Sequence, residues 1–125
     1  MKRDMDLIRK ILLATADLPY GEQLTSLEGV EEEAFVMHVI WLTEAGLVKA
    51  TAKDGVGSSE ARYAFVFRLT WAGCEFTDAI RDDTLWNKAK ANVLKPGMSF
   101  TFDVLKEWLK TEITQGLPTL RALGQ

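Results

Sequence analysis

The side chains equipped for nucleophilic or metal chemistry are few: one histidine, His38, and one cysteine, Cys74, far apart in the sequence. A reactive thiol needs a base within hydrogen-bond reach, so catalysis would require the fold to bring those two together. The readings adopted are a helical His38 hydrogen-bonded near a β-hairpin and a small, buried or half-buried Cys74. One His and one Cys do not supply zinc-ligand spacing. Asp78, Asp82 and Asp83 stand close enough to hold a divalent ion, but the reading adopted for them is a solvated face with a helix cap near the bend. Gly55 and Gly57 fall in a turn between two strand-like stretches and form no phosphate loop. These residues predict a protein that is not an enzyme and uses no cofactor or metal.

Two other clusters bear on binding. Glu31, Glu32 and Glu33 precede an apolar run in which Val36, Met37, Ile40 and Trp41 widen the stripe already supplied by Phe35, Val39 and Leu42. Such a stripe exceeds what a single-faced surface helix needs, so further helices or a second protein chain should cover it. Lys49, Lys53, Arg62 and Arg68 lie on or beside the hairpin, where they could grip a phosphate backbone or serve as solvated strand charges. The net charge of -3 counts against nucleic acid, because phosphate-binding domains usually carry a basic surplus.

The elements that must position these residues follow from periodicity. At 125 residues, with 47% hydrophobic and 26% charged side chains, the chain has room for one ordinary domain and has no apolar run able to span a bilayer. The charged start MKRDMDLIRK and the lone cysteine predict no export and a cytoplasmic location. Asp4 caps a helix carrying Leu7, Ile8, Ile11 and Leu12, which ends before Pro19. Leu24 and Leu27 suit a short helix, while Thr25 and Ser26 suit a strand. Residues 31–45 form a helix with acids in its first turn and Gly46 at its end. LVKATAK and ARYAFVFRLT are paired strands around the tip DGVGSS, and Tyr63, Phe65, Phe67 and Leu69 alternate onto one face that the hairpin buries. Helical composition then runs from Trp71 to about Val93, with a bend or second start at Asp82 and Asp83. Lys95, Pro96 and Gly97 break it, and Phe100, Val104, Leu105, Trp108, Leu109 and Ile113 mark a last amphipathic helix. The four tryptophans are expected to build one core and a helix interface.

The stretch LTSLEGVEEEAFVMHVIWLTEAGLV resembles the winged helix-turn-helix motif without a gap, with Leu24 and Leu27 on its second helix and Phe35, Val39 and Leu42 on the inner face of its third. RLTWAGCEF resembles the phrase that closes the wing. Over roughly residues 1–110, the opening MKRDMDLIRKILL, the histidine upstream of AGL, and LTWAG, EF and AIRDDTLWNKAK together resemble a family of short bacterial and prophage proteins catalogued as a domain of unknown function. That resemblance implies an α+β fold: a winged helix-turn-helix-like domain with a two-stranded wing hairpin and additional C-terminal helices. Residues 1–125 are expected to be a single domain, with a winged-helix-like core over 1–70, a helical extension over 71–116 and a loose or docked tail over 117–125.

No outer position of the 31–45 helix offers a strong base reader, and its carboxylates repel phosphates. The expected function is therefore that of a small phage- or prophage-type accessory protein that contacts a protein partner, possible as a homodimer, or blocks a host factor. Its candidate surface is Glu31, Glu32, Glu33, Val36, Met37, Ile40 and Trp41. The alternative is a DNA-binding transcription regulator using Lys49, Lys53, Arg62 and Arg68.

Overall fold

The computed structural model describes residues 1–55, 62–95 and 101–116. In chain order the elements are α1 (Met5–Ala16), α2 (Glu32–Glu44), β1 (Val48–Lys53), β2 (Tyr63–Leu69), α3 (Trp71–Ile80), α4 (Asp83–Asn92) and α5 (Phe102–Gly116), an α+β arrangement of five helices and one antiparallel hairpin. The chain divides into two compact units, Met1–Thr77 and Asp78–Gln125. Most of the tip DGVGSS, the breaker Pro96 and Gly97, Phe100 and the tail leucines 117, 120 and 123 lie outside the described residues. Among those residues, no helix is long and apolar enough to cross a membrane.

In the first unit α1 starts where the Asp4 carboxylate accepts from the N–H groups of Asp6 and Leu7, at 3.0 and 3.2 Å, which satisfies two donors that the helix itself cannot pair. Its stripe Leu7, Ile8, Ile11 and Leu12 is buried as the periodicity requires. Between α1 and α2 the short helix that the resemblance implies is not formed, and the other alternative, strand-like pairing, appears at Leu24 alone. Leu24 instead exchanges two backbone hydrogen bonds of 2.9 Å with Val66 of β2, and a turn closed by Val30 N–H on the Leu27 carbonyl leads to α2. Leu24 and Leu27 therefore do not share a helix face, and Gly29, at φ 76°, makes the turn too tight for one. α2 ends in a Schellman arrangement, with Leu47 N–H on the Leu42 carbonyl and Gly46 at φ 76°.

β1 and β2 pair from Val48↔Leu69 to Lys53↔Tyr63, with an irregularity between Lys49 and Ala50 that leaves Phe67 as an extra residue on β2. The face of β2 that turns inward is the opposite of the one expected: Ala64 and Val66 are buried, whereas Phe65 and Phe67 are 37% and 42% exposed. α1 and α2 both contact this strand, and the small side chains permit that approach where a row of rings would hold the helices off.

α3 is fastened to the end of α2. The Thr70 hydroxyl donates to the Gly46 carbonyl at 2.6 Å and accepts from Gly73 N–H at 3.0 Å, while Thr70 N–H donates to the Leu47 carbonyl. Gly73 sits so close to that carbonyl that a Cβ on it would lie 1.9 Å from the oxygen. The AGL and LTWAG phrases are thus two halves of one joint.

In the second unit, Asp82 accepts from Leu85 N–H at 2.8 Å and begins α4, so the second start is the alternative adopted by the chain. Trp86, Ala89 and Val93 of this stretch and Leu105 and Leu109 of α5 are buried, while Val104 and Ile113 stay exposed, which makes the inward stripe of α5 narrower than its sequence suggests. Lys88 and Glu112 join α4 to α5 at 3.1 Å.

Candidate functional site

The surface that the local chemistry leaves open is the outer face of the hairpin. On β1 the alternation turns Lys49, Thr51 and Lys53 outward. Their partners on β2 are Arg68, Phe65 and Tyr63, so each outward position of β1 faces a cationic or aromatic side chain. Tyr63 and Phe65 form a tilted ring pair with centroids 5.3 Å apart. Regular alternation after the buried Val66 would turn Phe67 out and Arg68 in; the bulge interrupts it, and both are exposed. Register then holds Lys49 directly opposite Arg68. Like charges so placed repel, which is a standing cost that an anion between them would relieve. Arg68 also donates to the Leu69 carbonyl at 3.0 Å, which steadies its stem.

The other residues singled out from the sequence scatter. Glu31, Glu32 and Glu33 are exposed in and before the first turn of α2, and Glu33 forms an ion pair with Arg62. That pair engages one member of the acidic cluster and one of the four proposed phosphate-gripping cations. Val36 is 2% exposed and is withdrawn from the candidate partner surface; Met37, Ile40 and Trp41 are half-buried. Much of the widened stripe is therefore covered within the chain itself.

His38 lies in the core, 2% exposed, and its hydrogen bonds go to the backbone of Asp4 and Ala34. Its Nε2 accepts from Asp4 N–H at 2.8 Å, its Nδ1 faces the Ala34 carbonyl at 2.7 Å, and its ring meets Trp41 edge-on at 5.0 Å. Both nitrogens are committed to backbone groups, which leaves none to activate a nucleophile. Cys74 is exposed, contrary to the buried or half-buried place expected for it. It sits on the outward side of α3, beside the exposed Glu75 and one residue from the buried Gly73. Asp82 serves as a cap, and among the described residues no three His, Cys, Asp or Glu side chains gather as a metal site would need.

Phe65, Phe67 and Trp71 are exposed aromatic residues that the sequence pattern does not mark as surface. The alternation that carries Phe65 and Phe67 is more apolar than that of Ala64 and Val66 and so points to the core. Trp71, 81% exposed at the start of α3, departs from the core or helix interface expected of the four tryptophans. The available signal was polar alternation on β1: Lys49, Thr51 and Lys53 alternate with small residues and define an outward side, which Phe65 opposite Thr51 and Tyr63 opposite Lys53 share.

A family model described as "Hypothetical protein (DUF2513)" matches residues 2–99. An uncharacterized protein of Haemophilus influenzae is 34% identical over 126 residues, covering 94% of this chain and 99% of that relative. No solved structure matches the chain significantly.

Proposed function

Since the chain belongs to the DUF2513 family of hypothetical proteins, a premise that carries no activity, we propose its function from its surface: a non-enzymatic nucleic-acid-binding protein on a winged-helix-like frame, with the outer face of the hairpin as its contact. The order α1, Leu24 bridge, α2, hairpin supports the frame, with the bridge in the place of the first short strand of such domains and a turn in place of the second helix. The observation that carries the reading is the exposure, on one side of the hairpin, of Phe65 and Phe67 together with Lys49 and Arg68. The committed nitrogens of His38 support a role without catalysis.

Protein contact through α2 is less well supported, because Val36 is buried and Met37, Ile40 and Trp41 are half-buried, which leaves little uncovered apolar stripe for a partner. The test is a titration of the full chain against a mixed-sequence DNA duplex and its separated strand, at low and at physiological salt. Binding of at least one of them that weakens with salt is expected. No binding of either at low salt overturns the reading.

A second reading rests on the exposed Glu31 and Glu32: a phage- or prophage-type accessory protein, acting on a host factor or as a homodimer, that presents carboxylates where its partner expects phosphates. Exchange of Glu31, Glu32 and Glu33 for lysine would abolish such an interaction; a partner retained by the triple variant removes the reading.

A further inference from the structure

We propose that the hairpin face takes single-stranded nucleic acid, with bases stacked on Phe65, Phe67 and Tyr63 and phosphates held by Lys49, Lys53 and Arg68. The proposal rests on the nucleic-acid-binding reading above and narrows it to one form of the ligand. A duplex shows a protein its phosphates and the edges of its bases, and keeps the ring faces inside the stack. Cations alone suffice to grip it. Aromatic rings set among the cations gain a partner only where bases are unstacked, and base–aromatic stacking is indifferent to sequence because every base has a ring face.

The geometry gives such a strand a track. Along the hairpin the pairs Lys53↔Tyr63, Thr51↔Phe65 and Lys49↔Arg68 follow one another, with Phe67 raised by the bulge between the last two. Outward residues on one strand repeat at about 6.7 Å, so aromatic and cationic groups alternate over a short, continuous path. Tyr63 and Phe65 already lie 5.3 Å apart as a tilted pair, which leaves their remaining ring surface for a base. Lys49 opposite Arg68 supplies the anion-seeking end of the track. The residues that would read a duplex groove are poorly suited to it: the exposed start of α2 presents Glu31, Glu32 and Glu33. With a net charge of -3 the whole molecule adds no general attraction for phosphates, so stacking carries the larger share of affinity.

The experiment is fluorescence anisotropy with the full chain and four labelled probes of one length at low salt, a mixed-sequence DNA strand, the same sequence as RNA, its DNA duplex and a strand of abasic sugars, with the first strand repeated at physiological salt. The intact single strand should bind about tenfold more tightly than either the duplex or the abasic strand. The stronger of the DNA and RNA arms identifies the natural form. A Phe65→Ser/Phe67→Ser double variant should bind the intact strand no better than wild type binds the abasic one, with unchanged circular dichroism and urea midpoint. Lys49→Gln/Arg68→Gln should flatten the salt dependence. Duplex or abasic binding equal to that of the intact strand overturns this inference and leaves the nucleic-acid reading standing; absence of all binding overturns both. If the double phenylalanine variant converts a dimer into a monomer, the face is an interface between copies, and the inference also fails.

Discussion

The backbone N–H of Asp4 donates to Nε2 of His38, so the residue that caps α1 is itself held by the imidazole of α2. A backbone N–H can only donate, which requires Nε2 to carry the lone pair and Nδ1 to carry the proton offered to the Ala34 carbonyl. The single histidine therefore ties the start of α1 to α2 through residues 34 positions apart. Replacing it with Phe fills the space but leaves the Asp4 N–H without an acceptor, and should cost about 2 kcal/mol in urea unfolding. A midpoint equal to wild type would mean that the bond contributes nothing net.

At the joint between α2 and α3, Gly73→Ala puts a methyl group 1.9 Å from a backbone oxygen. Backbone cannot swing aside as a flexible side chain does, so destabilisation of about 3 kcal/mol is expected. Gly46→Ala meets no atom within 4 Å and bears only the cost of its φ of 76°, about 1 kcal/mol. Measured side by side, the two variants separate collision from backbone strain, and a larger loss at Gly46 would contradict this account.

Thr77 is buried with a hydroxyl that has no hydrogen-bond partner among the described residues. Thr77→Val keeps the shape and removes the unsatisfied group, so thermal stability should rise, by about 1 kcal/mol. A fall in stability would show that the hydroxyl has a partner.

The two faces of β2 should respond in opposite ways. Val66→Ala opens space in a fully buried position and should cost about 2 kcal/mol. Phe67→Thr removes an exposed ring while keeping a strand-forming residue, and should change stability by less than about 0.5 kcal/mol. Equal losses at the two positions would contradict the assignment of their faces.

Where one apolar pattern stood without a rival, the sequence was sufficient. Leu7, Ile8, Ile11 and Leu12 admit one helix face, Asp4 and Asp82 stand where caps must stand, and each forms the expected element. β2 offered two apolar alternations, and periodicity cannot rank a row of rings above a row of small side chains that helices can approach closely. The bulge at Phe67 has no glycine to announce it. The Leu24 bridge depends on a strand more than forty positions downstream, and the bond from Asp4 to His38 likewise joins residues remote in sequence; neither is written in any local window. The inward face of β2 that periodicity suggests likewise hides Phe65 and Phe67, which share the outward side with the hairpin cations Lys49 and Arg68.

The bulge also makes parity a property of this strand. Val66 is tied to Leu24 at one end and Thr70 to Gly46 at the other, so the three residues between them must fit a fixed span. Losing Leu69 would set Arg68 opposite Val48 and turn it toward the interior, whereas losing Phe67 would leave Lys49 opposite Arg68 in a regular ladder without the ring. The count and placement of residues between two fastenings decide which side chains the hairpin shows to the outside.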